Sequence, residues 1–143
     1  MRYIAATDGS DPSEHAVRYA AEHAAALDAT LEVVHTLEPD VELVDGDIVF
    51  PGDERSTELA QQTLDASEQL ATEVAAEHDV TITVETTLLT GRPADAITDH
   101  ADATGADAIY VGHRGLTEQR ENVVGSVAKS VVDKAAVPVT VIR

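Results

Sequence analysis

The sequence contains no cysteine and no apolar run long enough to cross a membrane. The absence of cysteine excludes both a disulfide framework and a thiolate metal site. A membrane-spanning helix needs about 18 or more consecutive apolar residues, and the chain has no such stretch. The first apolar segment is short and reaches Asp8 too early for a secretory signal peptide. We therefore expect a cytoplasmic protein without a membrane span.

Basic residues are scarce. Nine lysines and arginines stand against 27 aspartates and glutamates, which gives a formal net charge of −18. Such a chain repels nucleic acid and anionic membranes, so neither is expected as a partner. The acidic residues are scattered rather than gathered in a tail, and we interpret them as adaptation to high salt. Salt screens repulsion between like charges, so the melting temperature is expected to rise from low to molar KCl. A melting temperature independent of KCl would contradict the adaptation.

Short apolar runs alternate with helical stripes, and this alternation predicts the element order βαβαβαβαβ. The predicted strands cover residues 3–6, 31–36, 80–85, 106–111 and 137–142. The predicted helices begin at Asp11 as N-cap, run along residues 60–74, open at Gly91, and cover residues 124–136 with Val127, Val131 and Val132 inward. This order is typical of a doubly wound parallel sheet with helices on both faces, here in one domain spanning residues 1–143. Ligands of such sheets bind beyond the carboxyl ends of the strands, where the strand order reverses.

The segment from residue 37 to residue 52 has no clear period and carries two prolines and two glycines. We predict that it is a loop. A loop of this length is uncommon in a compact domain and commonly serves function.

Glycines are concentrated after the predicted fourth strand. Residues 112–115 read Gly-His-Arg-Gly, and nine residues later Gly125-Ser126 opens the last predicted helix. Glycine lets a ligand approach the backbone closely, and a helix N-terminus offers unpaired amides to phosphate. Taken singly, each piece also fits an ordinary turn or an ordinary helix cap. The spacing differs from the lysine-containing phosphate loop and from the dinucleotide fingerprint.

The spacing Gly, two residues, Gly, nine residues, Gly-Ser resembles the ATP-binding motif of the universal stress protein family. The segments 7–10, 91–97 and 136–143 are similar to the family as well, so the resemblance covers essentially the whole chain. Together with the acidic composition, it points to the ATP-binding members of salt-adapted archaea. The resemblance implies a three-layer, Rossmann-like α/β fold. Its open sheet has five parallel strands in the order 3-2-1-4-5, with four helices.

The resemblance also implies a nucleotide site. Asp8 matches a carboxylate near the ribose, and Thr36 matches a position whose backbone meets the adenine. Gly112 and Gly115 match the turn at the ribose and first phosphate. His113 and Arg114 are variable positions inside the motif. The complete predicted site is Ala6, Thr7, Asp8, Thr36, Val111, Gly112, His113, Arg114, Gly115, Gly125, Ser126 and Val127, where the last three form the triphosphate cradle. The expected ligand is ATP with Mg²⁺, and AMP or ADP are alternatives.

No catalytic residue and no protein metal ligand can be nominated. The six histidines are dispersed without metal-ligand spacing, and residues 124–128 do not form a Gly-x-Ser-x-Gly elbow. Pairs of acidic residues are expected by chance in so acidic a chain. We therefore do not expect an enzyme, and slow ATP hydrolysis stays open.

The last predicted strand, residues 137–142, is apolar on both faces and carries no charge. As the final strand of a doubly wound sheet it should lie at an edge, where it invites pairing. Such pairing would join a homodimer, as in the family's usual assembly. We thus predict a nucleotide-responsive, regulatory stress-response homodimer with an unidentified protein partner. The alternatives are a nucleotide-independent interaction module and a nucleotide-using enzyme, such as a pyrophosphate-releasing ligase. The turn over residues 7–11 lacks the paired glycines that such a ligase needs.

Overall fold

The computed structural model describes residues 1–38, 42–44, 47–49, 54–114 and 124–143. Strands and helices alternate through most of the chain, as the apolar pattern predicts. In chain order the elements are β1 (Arg2–Ala6), α1 (Asp11–Leu27), β2 (Thr30–Leu37), β3 (Glu42–Val44), β4 (Asp47–Val49), α2 (Glu54–Glu77), β5 (Val84–Thr90), α3 (Pro93–Thr104), β6 (Ala108–Gly112), α4 (Ser126–Lys134) and β7 (Val139–Ile142).

The five strands of the main sheet are all parallel and lie in the order β5-β2-β1-β6-β7. Counted along the chain without the β3–β4 hairpin, this is the predicted order 3-2-1-4-5. The doubly wound, Rossmann-like prediction is therefore confirmed. The order reverses at β1, because the chain adds β2 and β5 on one side and β6 and β7 on the other.

Two apolar cores fill the space between the sheet and its helices. On one face, the small residues of α1 and the stripe of α2 pack on the sheet around Leu31, Leu64 and Val74, which are fully or almost fully buried. On the other face, α3 and α4 pack on Ile4 and Ile109. The alanines of α1 bring its axis close to the sheet, since they add little bulk between backbone and strand. The result is the three-layer arrangement expected from the sequence.

The two predicted helix details at α1 and α4 were wrong. Ser10, not Asp11, caps α1: it has extended backbone angles, and its side chain accepts a hydrogen bond from the Ser13 amide. In α4, Val131 is fully buried, but Val127 is 40% exposed and Val132 is 54% exposed. The helix is rotated so that Ala128 and Val131 face the core. Val127 and Val132 are as apolar as Val131, so the apolar pattern alone did not fix the buried face of α4.

The structure also differs from the prediction in the segment 37–52 and at the third strand of the sheet. The segment 37–52 contains the antiparallel hairpin β3–β4 and is not loop throughout. The strand predicted over residues 80–85 runs instead over Val84–Thr90. Every residue of this strand, β5, is paired with a residue of β2, which continues to Leu37. The Val80 amide instead donates to a carbonyl of the last turn of α2.

A buried carboxylate joins three strands to α3. Glu32 is only 3% exposed. It accepts hydrogen bonds from Arg2 Nη1 at 3.0 Å, Thr87 Oγ1 at 2.6 Å and His100 Nε2 at 2.8 Å. Burial alone would raise the pKa of the Glu32 carboxyl. The hydrogen bonds from Thr87 and His100 and the charges of His100 and Arg2 outweigh burial, so this pKa lies below its usual range.

Candidate functional site

A cavity of about 260 Å³ opens at the carboxyl ends of β1, β2 and β6. It lies between the sheet and the beginnings of α3 and α4, next to the point where the strand order reverses. Ligands of doubly wound proteins bind at this position. Its lining residues are Ala6, Thr7, Asp8, Ser13, Val34, Thr36, Glu38, Pro93, Ile97, Val111, Gly112, Arg114, Gly125, Ser126, Val127 and Ala128.

The structure brings the predicted site residues together at this cavity, with two exceptions. His113 is buried beside the cavity without lining it. Gly115 lies outside the described residues. The remaining predicted residues all contribute to the lining, and their assignment to a nucleotide stays a prediction.

The turn after β1 holds Asp8 at the cavity wall. Its amide donates to Ser13 Oγ at 3.3 Å, and its Oδ1 accepts the Ser10 amide at 2.9 Å. Gly9 adopts a φ of 82°, a conformation that favours glycine. Thr7 Oγ1 accepts the Gly9 amide at 3.2 Å. This local network fixes a carboxylate at the mouth of the cavity.

The inner part of the cavity is apolar with a single unpaired hydroxyl. Val34 and Thr36 alternate along β2 and point to the same face, and Ile97 of α3 lies opposite them. The hydroxyl oxygen of Thr36 is buried and has no hydrogen-bond partner among the described residues. An unsatisfied buried hydroxyl costs about 1–3 kcal/mol. Such an atom beside an apolar slot is suited to a flat, mostly apolar ligand that carries a hydrogen-bonding group.

The beginning of α4 forms the other end of the cavity. The N-cap residue is Gly125, and no side chain of the described residues provides a cap hydrogen bond; the first-turn amides of a helix have no intrahelical acceptor. The Gly125 amide is already used, because it donates to the His113 carbonyl at 2.5 Å. The amides of Val127 and Ala128 come next in the first turn of α4 and face the cavity end that an anion would occupy. The partial positive charge of a helix N-terminus suits a phosphate at this end.

Gly112 has a packing role that the sequence did not reveal. A Cβ atom at this position would lie 2.7 Å from the carbonyl carbon of Pro12 and 2.9 Å from the Ser13 nitrogen. The space that a side chain would need is therefore filled by the first turn of α1. The family resemblance implies that Gly112 leaves room for the ribose and first phosphate. The direction of its missing Cβ shows that it leaves room for the backbone of α1 instead.

The charged side chains of the lining give no net attraction for phosphate. Asp8 and Glu38 are acidic, and Arg114 is the only basic residue among the lining residues of the described chain. Attraction for an anion must therefore come from Arg114 and the amides of α4. Within the described residues, no group of three or more histidine or acidic side chains is placed to hold a metal ion.

Six lining residues were not predicted: Ser13, Val34, Glu38, Pro93, Ile97 and Ala128. Val34 could have been found from Thr36, since residues two apart in a strand share a face. Pro93 and Ile97 lie in the segment 91–97, which the sequence analysis singled out without assigning contacts. Helical spacing places these two on one side of α3.

The fold and the cavity place the protein in the doubly wound α/β class that binds ligands at the sheet's reversal point. A model of the universal stress protein family matches residues 1–143, so the chain belongs to that family. A universal stress protein of Thermus aquaticus is 34% identical over 140 residues, which cover 98% of this chain and 96% of the relative.

Solved structures of the family share the whole fold. The universal stress protein from Archaeoglobus fulgidus in complex with dAMP has a TM-score of 0.76 at 29% identity, covering 100% of this chain and 98% of that one. A universal stress protein in complex with cAMP has a TM-score of 0.72 at 26% identity, covering 100% and 97%. Among the described residues of the present chain, no helix is both long and apolar enough to cross a membrane.

Proposed function

We propose that the cavity binds an adenine nucleotide and that the protein acts as a nucleotide-responsive regulator. The base would occupy the slot beside Val34 and Thr36, and the phosphates would lie at the beginning of α4. The observation that carries this proposal is the pairing of an unsatisfied Thr36 hydroxyl with an uncapped helix N-terminus in one cavity. The family structures with dAMP and cAMP support the same class of ligand.

ATP is the proposed resident nucleotide, with Mg²⁺ held by its phosphates rather than by protein ligands. Asp8 and Glu38 would repel a bare triphosphate, and Arg114 alone does not balance them. A divalent cation reduces the phosphate charge, so ATP affinity is expected to fall when EDTA removes the metal. AMP carries less phosphate charge than ATP, so EDTA should lower the affinity for AMP less than the affinity for ATP.

We assign no catalytic residue. Asp8 and Glu38 are the carboxylates of the lining; the first accepts the Ser10 amide, and the second is an exposed residue at the end of β2. Neither arrangement activates a water molecule for attack on a phosphate. A multi-turnover assay with rapid ATP consumption would contradict a regulatory role and favour an enzyme.

Regulation would act through a homodimer paired along residues 137–142. His113 connects the two regions through its backbone. Its amide donates to the Ile142 carbonyl at 2.7 Å, and its carbonyl accepts the Gly125 amide at 2.5 Å. A ligand that displaces the beginning of α4 would therefore act on the end of β7.

A nucleotide-independent interaction module is the second candidate. The packing of Gly112 against α1 favours it, because that glycine would be retained in a protein that binds no ligand. Such a module would act through its surface and its dimer alone.

Ser126→Asp tests the phosphate end of the cavity. A carboxylate in the first turn stabilises a helix, so the protein should fold normally. It would repel a bound phosphate, and we expect ATP affinity to fall at least about tenfold. Adenosine, which has no phosphate, should bind as it does to the wild type. Ser126→Asn is the matched neutral control, and calorimetric titration at molar KCl is the measurement.

Thr36→Val tests the base end in the same titrations. It removes the unsatisfied hydroxyl at nearly constant shape, so adenosine and ATP should both bind more weakly, while the ligand-free protein is no less stable. Adenosine and ATP binding unchanged in both variants would place the ligand elsewhere. No binding to the wild type, with intact folding, would favour the interaction module.

A further inference from the structure

α2 has a second packing face beside the one that it buries. Its buried residues are Ala60, Leu64, Ser67, Ala71, Val74 and Ala75. Directly before each of the first four stands another uncharged residue, and we call this set the α2 seam: Leu59, Thr63, Ala66 and Leu70. The spacing of four, three and four residues is the one by which a helix presents a face to another helix. Leu59 is 54% exposed, and Ala66 is exposed as well, so the described chain leaves this face partly uncovered.

The α2 seam lines a groove of about 450 Å³. Gly9 of the turn after β1 and Glu14 of α1 line the same groove. From Leu59 to Leu70 the helix rises about 16 Å, which is three turns. The side chains between the two leucines are short, so the backbone of another helix can come close there while the leucines contact its sides. The groove therefore has the length and the shape to receive a helix.

A buried hydroxyl faces this groove. Ser67 lines it although the residue is only 4% exposed. The Ser67 hydroxyl forms no hydrogen bond with another described residue. Thr63 differs, because its hydroxyl donates to the Leu59 carbonyl within the helix at 3.2 Å. A buried hydroxyl without a partner is unfavourable, and an occupant of the groove that bonds to Ser67 would relieve it.

The turn after β1 separates the groove from the nucleotide cavity. Asp8 lines the cavity, and Gly9 lines the groove. A Cβ atom on Gly9 would lie 3.6 Å from Thr63 Cγ2, so this turn lies directly against the α2 seam. The Gly9 amide donates to Thr7 Oγ1, and Thr7 also lines the cavity. An occupant of the groove and a nucleotide in the cavity would therefore contact the same turn.

We propose that the α2 seam is the docking site for an amphipathic helix of a partner protein. That helix would place aliphatic side chains on the seam and carry lysine or arginine on its flanks. The inference rests on the proposed nucleotide-responsive function, and it names the surface and the class of partner through which the response would pass. Because coupling between two sites is reciprocal, partner and nucleotide would change each other's affinity through the turn over residues 7–10.

Charge favours a basic partner over a second copy of this chain. Among the described lining residues of the groove, Glu14 is the only charged one. Around the α2 seam, α2 has Arg55 as its one basic residue and six acidic residues: Glu54, Glu58, Asp65, Glu68, Glu73 and Glu77. Two copies docked seam to seam would bring these acidic helices together, and their charges would repel. A helix with basic flanks would meet opposite charge instead, as in coiled coils whose flanking charges select the partner.

The test uses two synthetic helical peptides of three heptads with the same seam of leucine and alanine. One peptide has lysine at the flanking positions, and the other has glutamate. Each is titrated calorimetrically into the nucleotide-free protein at molar KCl. The Debye length is about 3 Å there, so the overall charge of the protein attracts a cation only weakly. We expect the lysine peptide to bind at least about tenfold more tightly than the glutamate peptide.

Substitutions on α2 test the position of the contact. Ala66→Arg places bulk and positive charge at the centre of the α2 seam, so the dissociation constant of the lysine peptide should rise at least about tenfold. Ala76→Arg is the matched control, because Ala76 is also an exposed alanine of α2 but does not line the groove. Its dissociation constant should stay within about threefold of the wild type. Leu59→Gln removes an exposed leucine without a change of charge, and it decides alone if Ala66→Arg fails to fold.

The proposal is overturned if the lysine peptide does not bind the wild type, or if it binds the wild type and the seam variants equally. A glutamate peptide that binds as tightly as the lysine peptide overturns the basic partner. Sedimentation equilibrium tests the remaining occupant: a wild-type dimer that Ala66→Arg dissociates would assign the groove to a second copy instead.

ATP titrations on the same samples report separately on the cavity. A wild type that binds ATP but not the peptide loses only the α2 seam, and one that binds the peptide but not ATP loses only the proposed function. When both bind, we expect saturating peptide to change the ATP dissociation constant at least about fivefold. An unchanged ATP dissociation constant would overturn the coupling through the turn.

Discussion

Glu32→Gln is expected to lower the free energy of unfolding at pH 7 by about 3 kcal/mol, the scale of a broken buried ion pair. The carboxylate is buried and binds Arg2, Thr87 and His100 at once. An amide cannot accept all three hydrogen bonds, and it leaves the Arg2 charge without its buried partner. Urea denaturation of both proteins measures the difference.

Glu85→Gln is the matched control. Glu85 pairs with the same arginine at 2.7 Å, but its side chain is 47% exposed. Water already screens that pair, so its loss should cost less than about 1 kcal/mol. Equal losses in the two variants would contradict a special role for the buried carboxylate.

The contribution of Glu32 to the free energy of unfolding should decrease as the pH falls. Its pKa is lowered on folding, so its contribution is fully present above the unfolded-state value of about 4.3 and disappears as the pH falls through the folded-state value. The gap between wild type and Glu32→Gln should close as the pH falls below about 5, where the Glu32 carboxylate becomes protonated. A gap that widens on acidification would contradict the assigned direction.

Gly112→Ala is expected to lower the free energy of unfolding by about 2–3 kcal/mol, with or without nucleotide. The added methyl group would overlap the backbone of Pro12 and Ser13, which a side-chain rotation cannot relieve. The first turn of α1 would have to move, and the Asp8 loop with it. Thermal and urea unfolding of the ligand-free protein are the measurements.

Gly105→Ala separates packing from backbone strain. Gly105 has a φ of 67°, and a Cβ there meets nothing within 4 Å, so only the left-handed conformation opposes the change, at about 1 kcal/mol. Gly112→Ala should therefore cost more than Gly105→Ala. A fully stable Gly112→Ala protein that binds nucleotide poorly would show that this glycine serves the ligand.

The sequence predicted the sheet and its order because the pattern of apolar runs and the family resemblance agree. It did not predict the start of β5, since residues 80–85 alternate just as a strand does and only the partner β2 decides the register. It also missed which side of α4 is buried, because Val127, Val131 and Val132 are equally apolar. Tertiary packing, and not the local sequence, determines both the start of β5 and the buried side of α4.

A motif in the sequence marks some of the residues that line the cavity, but nothing in the sequence marks the walls made of ordinary apolar residues. Asp8, Gly125 and Ser126 stand out in the sequence. Val34 and Ile97 do not, because nothing local distinguishes a side chain that lines a cavity from one that fills a core. The single domain, the cytoplasmic location and the adaptation to salt stay predictions.

The separation of the Glu32 cluster from the cavity has an evolutionary consequence. Arg2 begins β1 and Ala6 ends it, so the buried ion pairs and the ligand-facing residues occupy opposite ends of the same strands. Substitutions in the loops at the cavity end can accumulate while the other end keeps the sheet assembled. Descendants of such a chain can diverge in what they recognise without first losing the ability to fold.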